Sequence, residues 1–142
     1  MTVLVMDSSA ALKWALPEPF SDKAESLRED YHNALIELIA PDIFSIETLH
    51  ALTKAERQKR IARGTAYPLW QLIHADCPIL HAHIPLLDRA YEIAYAAQIG
   101  IYDCVYVALA ERENCELATA DDRIIRNLQS TFPFIRHLST FM

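Results

Sequence analysis

The sequence predicts an α/β fold built on a largely parallel sheet, in a single domain over residues 1–142. Short apolar runs alternate with longer segments of helical period, the pattern of strand–helix–strand units. Apolar residues make up 52% of the chain, which is enough for one core and argues against disorder. Gly64 and Gly100 are the only glycines, which argues against a turn-rich all-β fold and against a glycine-rich phosphate loop.

Val3 to Met6 reads as a short buried strand. Ser8 or Ser9 is placed to cap a helix from Ala10 to Leu16, which Pro17 and Pro19 end. A second helix is expected from near Ser21 to Ile39, because Ala24, Leu27, Tyr31, Leu35 and Leu38 recur in steps of three and four. After Pro41, a third helix covers roughly Ser45 to Arg60, stopped by Gly64. Thr65 opens a fourth, with Pro68 in its first turn. Pro78 to Ile84 reads as a strand, in which His81 and His83 share a face that we expect to be solvated. Helices follow at Pro85 to Gln98 and Tyr102 to Glu113, parted by Gly100. Glu116 to Thr119 is a strand, Asp121 or Asp122 begins a helix, and Phe134 to Phe141 is an expected edge strand.

The formal charge is −6, which disfavours unaided binding to phosphate backbones. The run Lys54 to Arg63 is locally basic, either a nucleic-acid contact or a solvated helix end. Cys77, Cys104 and Cys115 show no zinc spacing and read as reduced thiols of a cytoplasmic protein. No stretch is long enough to span a membrane, and the first apolar run is too short for a signal peptide.

Four acids carry the chemistry. Asp7 closes the first apolar run, Glu47 opens a helix, Asp103 opens an apolar helix, and Asp121 follows a strand. In a parallel sheet, ligands bind beyond the carboxyl ends of the strands. If the strands before Asp7 and Asp121 are neighbours, both carboxylates meet at one edge. Glu47 shares its helix face with Ile43, Phe44 and Ala51, and Asp103 shares its own with Tyr106, Val107 and Ala110, so both should point inward. Gathered carboxylates repel and call for a compensating charge; oxygen donors suit Mg²⁺ or Mn²⁺. Each acid also has a plain structural use, as a helix cap at Asp7, Asp121 or Asp103, or as a first-turn acid at Glu47.

Four blocks in order resemble the motifs of the PIN-domain family, in particular its VapC-type toxin nucleases of toxin–antitoxin pairs. They are Val5-Met6-Asp7-Ser8-Ser9-Ala10, Pro41-Asp42-Ile43-Phe44-Ser45-Ile46-Glu47, Tyr102-Asp103-Cys104-Val105-Tyr106 and Leu117-Ala118-Thr119-Ala120-Asp121-Asp122. The resemblance spans nearly the whole chain. It implies a three-layer α/β/α PIN-like fold, with helices flanking a central, mostly parallel sheet, and a ribonuclease centre dependent on Mg²⁺ or Mn²⁺, with Asp7, Glu47, Asp103 and Asp121 as catalytic metal ligands. Ser9 and Thr119 match supporting positions, and Asp122 either acts through water or starts a helix. It also implies an RNA substrate, a small antitoxin partner and a homodimer. Trp14, Leu16, Phe20, Tyr67, Leu69 and Trp70 are either an antitoxin groove or core. Two other readings compete. One is a non-catalytic PIN-fold module that binds RNA or protein. The other is an aspartyl phosphatase of the haloacid-dehalogenase type, against which Ser9 stands where a second Asp is needed.

Overall fold

The computed structural model describes all residues, 1–142. Five strands form one sheet in the order β3-β2-β1-β4-β5, and every neighbouring pair is parallel. The strands are β1 (Thr2–Met6), β2 (Ile36–Pro41), β3 (Ile79–His81), β4 (Glu116–Thr119) and β5 (Ile135–His137). The helices are α1 (Ser8–Ala11), α2 (Ser21–His32), α3 (Phe44–Arg57), α4 (Ala66–Ala75), α5 (Leu87–Ala97), α6 (Ile101–Glu113) and α7 (Asp122–Leu128), with short 3₁₀ turns after α1, before α5 and after β5. The connections β1–β2 and β2–β3 step one way across the sheet, whereas β3–β4 and β4–β5 step the other. Right-handed crossovers therefore put α1 to α4 on one face and α5 to α7 on the opposite one, which is the expected three-layer fold.

The core explains the composition. Every residue of α6 from Cys104 to Ala110 is buried, because the helix lies on β1, β2 and β4 while α5 covers its outer side. Its polar residues are confined to the ends, at Asp103 and at Glu111 to Glu113. Cys104 is buried, Cys77 and Cys115 are half-buried, and all three are free thiols. No single helix is long and apolar enough to cross a membrane.

The structure corrects several sequence expectations. The helix expected from Ser21 to Ile39 ends at His32, and Ile36–Pro41 is instead β2, hydrogen-bonded between β1 and β3. The stop is made by Ala34, whose φ of 57° is left-handed, with the amides of Ala34 and Leu35 returning to the carbonyls of Tyr31 and Asp30. That closure normally uses glycine, so the apolar spacing ran on without a visible break. Lys59, with φ of 61°, ends α3 in the same way well before Gly64.

The first helix begins at Ser8, and its cap is Asp7 rather than either serine. Beyond Ala11 the chain tightens into a 3₁₀ turn, Leu12–Trp14. The third strand is confined to Ile79–His81. His83 lies beyond the strand, 2.6 Å from Asp42, and His81, the last strand residue, lies 3.2 Å from Arg112; both contacts are exposed to solvent, as expected. The last strand stops at His137. Trp14 belongs to the core, with its indole N–H donated to the Ala24 carbonyl, while Tyr67 is exposed and stacked on Trp70.

Candidate functional site

The strand order reverses between β1 and β4: one leads outward to β2 and the other to β5. This switch point opens a crevice at the carboxyl ends of both strands, where open α/β sheets bind ligands. Asp7 leaves β1 there and Asp121 leaves β4. Both acids are N-caps: an oxygen of Asp7 accepts from the Ala10 amide at 3.0 Å, and one of Asp121 accepts from the Arg123 amide at 2.8 Å. Capping and gathering at one edge are thus compatible. Glu47 enters from the first turn of α3 and Asp103 from the first turn of α6. Asp103 does not cap its helix, since Gly100 occupies that position.

Asp7 is only 3% exposed and is held from both sides. The Ala120 amide donates to the Ser9 hydroxyl at 3.0 Å, and that hydroxyl donates to Asp7 Oδ1 at 2.7 Å. In parallel, the Asp121 amide donates to the Thr119 hydroxyl at 3.0 Å, which donates to Asp7 Oδ2. With an amide feeding each hydroxyl oxygen, each hydroxyl proton is committed to the carboxylate. Ser9 and Thr119 therefore orient Asp7 and tie the exit of β1 to that of β4.

Even so, burial raises the Asp7 pKa from 3.8 to about 7, with the Asp103 charge adding to the rise. Glu47 is raised by burial and by Asp103, against the hydrogen bond that the Tyr106 hydroxyl donates to it at 2.7 Å. Asp103 is raised by burial and by Asp121, against the Arg123 guanidinium. Asp103 thus feels or exerts repulsion on all three other acids, so the four share one electrostatic site. The one side-chain cation that faces it is Arg123, 3.2 Å from Asp121 and 3.9 Å from Asp103. Asp122, exposed at the first position of α7, faces His137 at 3.4 Å and lies outside the group.

Oxygen donors alone, crowded and short of positive charge, fit a hard divalent cation. The side chains are not already drawn into a coordination shell, since no three His, Cys, Asp or Glu side chains stand as a ready cation cage. Arg123 fills part of that electrostatic role. A cleft of about 520 Å³ opens beside the acids, lined by Ser8, Ile46, Glu47, His50 and Tyr102.

The sequence reading passed over Tyr106 and Arg123 as members of the site. Tyr106 was visible as the residue one turn beyond Asp103 on the same face. Arg123 carried only the weaker signal of a cation two places after Asp121.

The chain matches the PIN domain family over residues 4–128. Ribonuclease VapC3 of Pyrobaculum aerophilum is 30% identical over 133 residues, covering 92% of this chain and 95% of that protein. Ribonuclease VapC9 of Mycobacterium tuberculosis is 28% identical over 134 residues, with the same coverage of each. The crystal structure of PAE2754 from Pyrobaculum aerophilum superposes with a TM-score of 0.70 over 98% of this chain and 92% of that one, at 22% identity. With its switch-point acids in family order and the match running through nearly every element, this chain belongs to the PIN-domain family.

Proposed function

We propose that the protein is a ribonuclease of the VapC type, the toxin of a type II toxin–antitoxin pair, and that its activity depends on Mg²⁺ or Mn²⁺. The carrying observation is the convergence of Asp7, Glu47, Asp103 and Asp121 at the switch point, where burial, with a small addition from the Asp103 charge, raises the Asp7 pKa to about 7. The names of its relatives support the same activity. The reaction is hydrolysis of an RNA phosphodiester: a water oxygen bonds to phosphorus, the bond to the leaving ribose oxygen breaks, and that oxygen takes up a proton.

In this reading the four acids hold the cation. Bound there, a divalent ion supplies positive charge against the phosphate and acidity to a water molecule. The chain supplies the order around it. Ser9 and Thr119 fix Asp7, and the Tyr106 hydroxyl holds Glu47 and favours its ionised form. Asp122 serves as the first residue of α7. The cleft walled by Ile46, His50 and Tyr102 gives RNA a place beside Glu47. A small antitoxin, a homodimer, a cytoplasmic setting and a single domain over residues 1–142 complete the proposal.

The test is cleavage of a panel of structured RNAs with Mg²⁺ or Mn²⁺ by the wild type and by Asp103→Asn. Wild-type cleavage that stops on chelation, together with a loss of at least about 100-fold in the variant, is the expected result. Undiminished cleavage by Asp103→Asn, or cleavage that survives exhaustive chelation, overturns the assignment.

A further inference from the structure

The ion pairs of lysine and arginine engage Lys13, Arg28, Arg89, Arg112, Arg123 and Arg136. Lys54, Arg57, Lys59, Arg60 and Arg63 have no such partner, although the chain as a whole carries −6. Elsewhere only Lys23 and Arg126 are equally free. All five cations are exposed, at the end of α3 and in the turn after it. The one acid among them, Glu56, turns its carboxylate to the amides of Gly64 and Ala66, both at 2.9 Å. Five uncompensated cations in ten residues of an acidic protein form a surface that attracts polyanions.

Their position gives the polyanion a direction. Glu47, His50, Lys54 and Arg57 follow one another along α3 in steps of three, four and three, so they share one side of the helix. Ten residues of helix at 1.5 Å each separate Glu47 from Arg57 by about 15 Å. The stripe thus starts in the cleft at the acid centre, which Glu47 and His50 both line, and ends at the basic turn. That turn has its own cleft of about 510 Å³, walled in part by Arg57, Lys59 and Arg63.

We propose that this side of α3 and the turn at residues 58–63 form the track for the RNA backbone. Phosphates flanking the scissile one lie along His50, Lys54 and Arg57 and reach Lys59, Arg60 and Arg63 further along the strand. The proposal rests on the ribonuclease reading above and names the part of the protein that grips its substrate. An acidic protein segment would answer the same cations, but it has no group to place at the end of the stripe. A nucleic acid has its cleavable phosphodiester there.

The experiment compares the wild type with Lys59→Gln/Arg60→Gln/Arg63→Gln and with a control, Lys23→Gln/Arg126→Gln. Binding of a fluorescent oligouridine dodecamer is followed by anisotropy in chelator as salt rises from about 50 to about 200 mM, the range over which counterion release is pronounced. Losing three phosphate contacts should flatten the log–log salt slope by about two, at roughly 0.7 per contact on a single strand, and weaken binding at least about tenfold. Under cleaving conditions the triple variant should raise KM on long RNA and leave kcat within about twofold, since its residues never touch the reacting atoms. The control should match the wild type in both assays.

Wild-type cleavage with an unchanged salt slope in the triple variant overturns the track alone. So does a triple variant that keeps its RNA affinity but loses affinity for polyglutamate, which would assign the turn to an acidic protein partner. Absence of RNA cleavage by the wild type overturns the ribonuclease reading and the track together. Unaltered circular dichroism of the triple variant separates these results from misfolding.

Discussion

Replacing Asp7 by Asn should stabilise the metal-free protein, and only at neutral and alkaline pH. A carboxyl whose pKa is higher in the fold than in the unfolded chain holds its proton more tightly when folded. Asp7 rises from 3.8 to about 7, so it costs nothing below pH 3.8. Its penalty grows as pH climbs through that interval and levels off above about 7. Three pKa units at 1.36 kcal/mol each make the full penalty on the order of 4 kcal/mol, of which well under half is present at pH 5. Asn removes the ionisation, but its amide must face a hydroxyl that now donates to Asp7, a mismatch worth about 1 kcal/mol. The variant should therefore equal the wild type near pH 5 and exceed it by about 3 kcal/mol at pH 8. Urea unfolding at both pH values, in chelator, measures this gap. Parallel pH profiles for the two proteins would show that Asp7 is not held as a strained acid. Adding Mg²⁺ at pH 8 should raise the stability of the wild type far more than that of the variant, because a ligand stabilises only a fold that binds it.

Other perturbations follow from neighbouring contacts. Tyr106→Phe removes the bond that favours ionised Glu47, so the Glu47 pKa should rise further and the rising limb of the pH–kcat/KM profile should move to higher pH; an unmoved limb would detach Tyr106 from the site. Arg123→Gln takes away the cation beside Asp121 and Asp103, and calorimetric titration should show Mn²⁺ binding several-fold more tightly at pH 8; weaker binding would mean that Arg123 does not compete with the ion. Ala34→Gly relieves a left-handed alanine and should raise stability by about 0.5–1 kcal/mol in urea unfolding, while a loss would show that the turn is not strained.

Where the sequence signal was local, the reading held. The runs before Asp7 and Asp121 are strands, as their short apolar stretches and following acids indicated, and their parallel pairing meets the condition on which the shared edge depended. The inward faces of Glu47 and Asp103 followed from helical period alone. The main loss was β2, hidden behind an apolar spacing that suits a helix. Ala34 ends α2 in a conformation that alanine seldom adopts, so composition gave no warning. The hydroxyl links at Asp7 were legible only as a family resemblance, because Ser9 and Thr119 are 110 positions apart. Of the residues left open between groove and core, Trp14 falls to the core, where its indole finds a backbone carbonyl.

The bond from Thr119 to Asp7 spans 112 positions of the chain. Asp7 is made well before Thr119, so the acid centre cannot be complete on a nascent chain that lacks β4. Asp7 emerges from the ribosome early but stays unbraced until β4 arrives and docks beside β1. The order of synthesis thus acts as a safety catch: a nascent chain that stops short of β4 has no assembled acid centre, however well its earlier strands have folded.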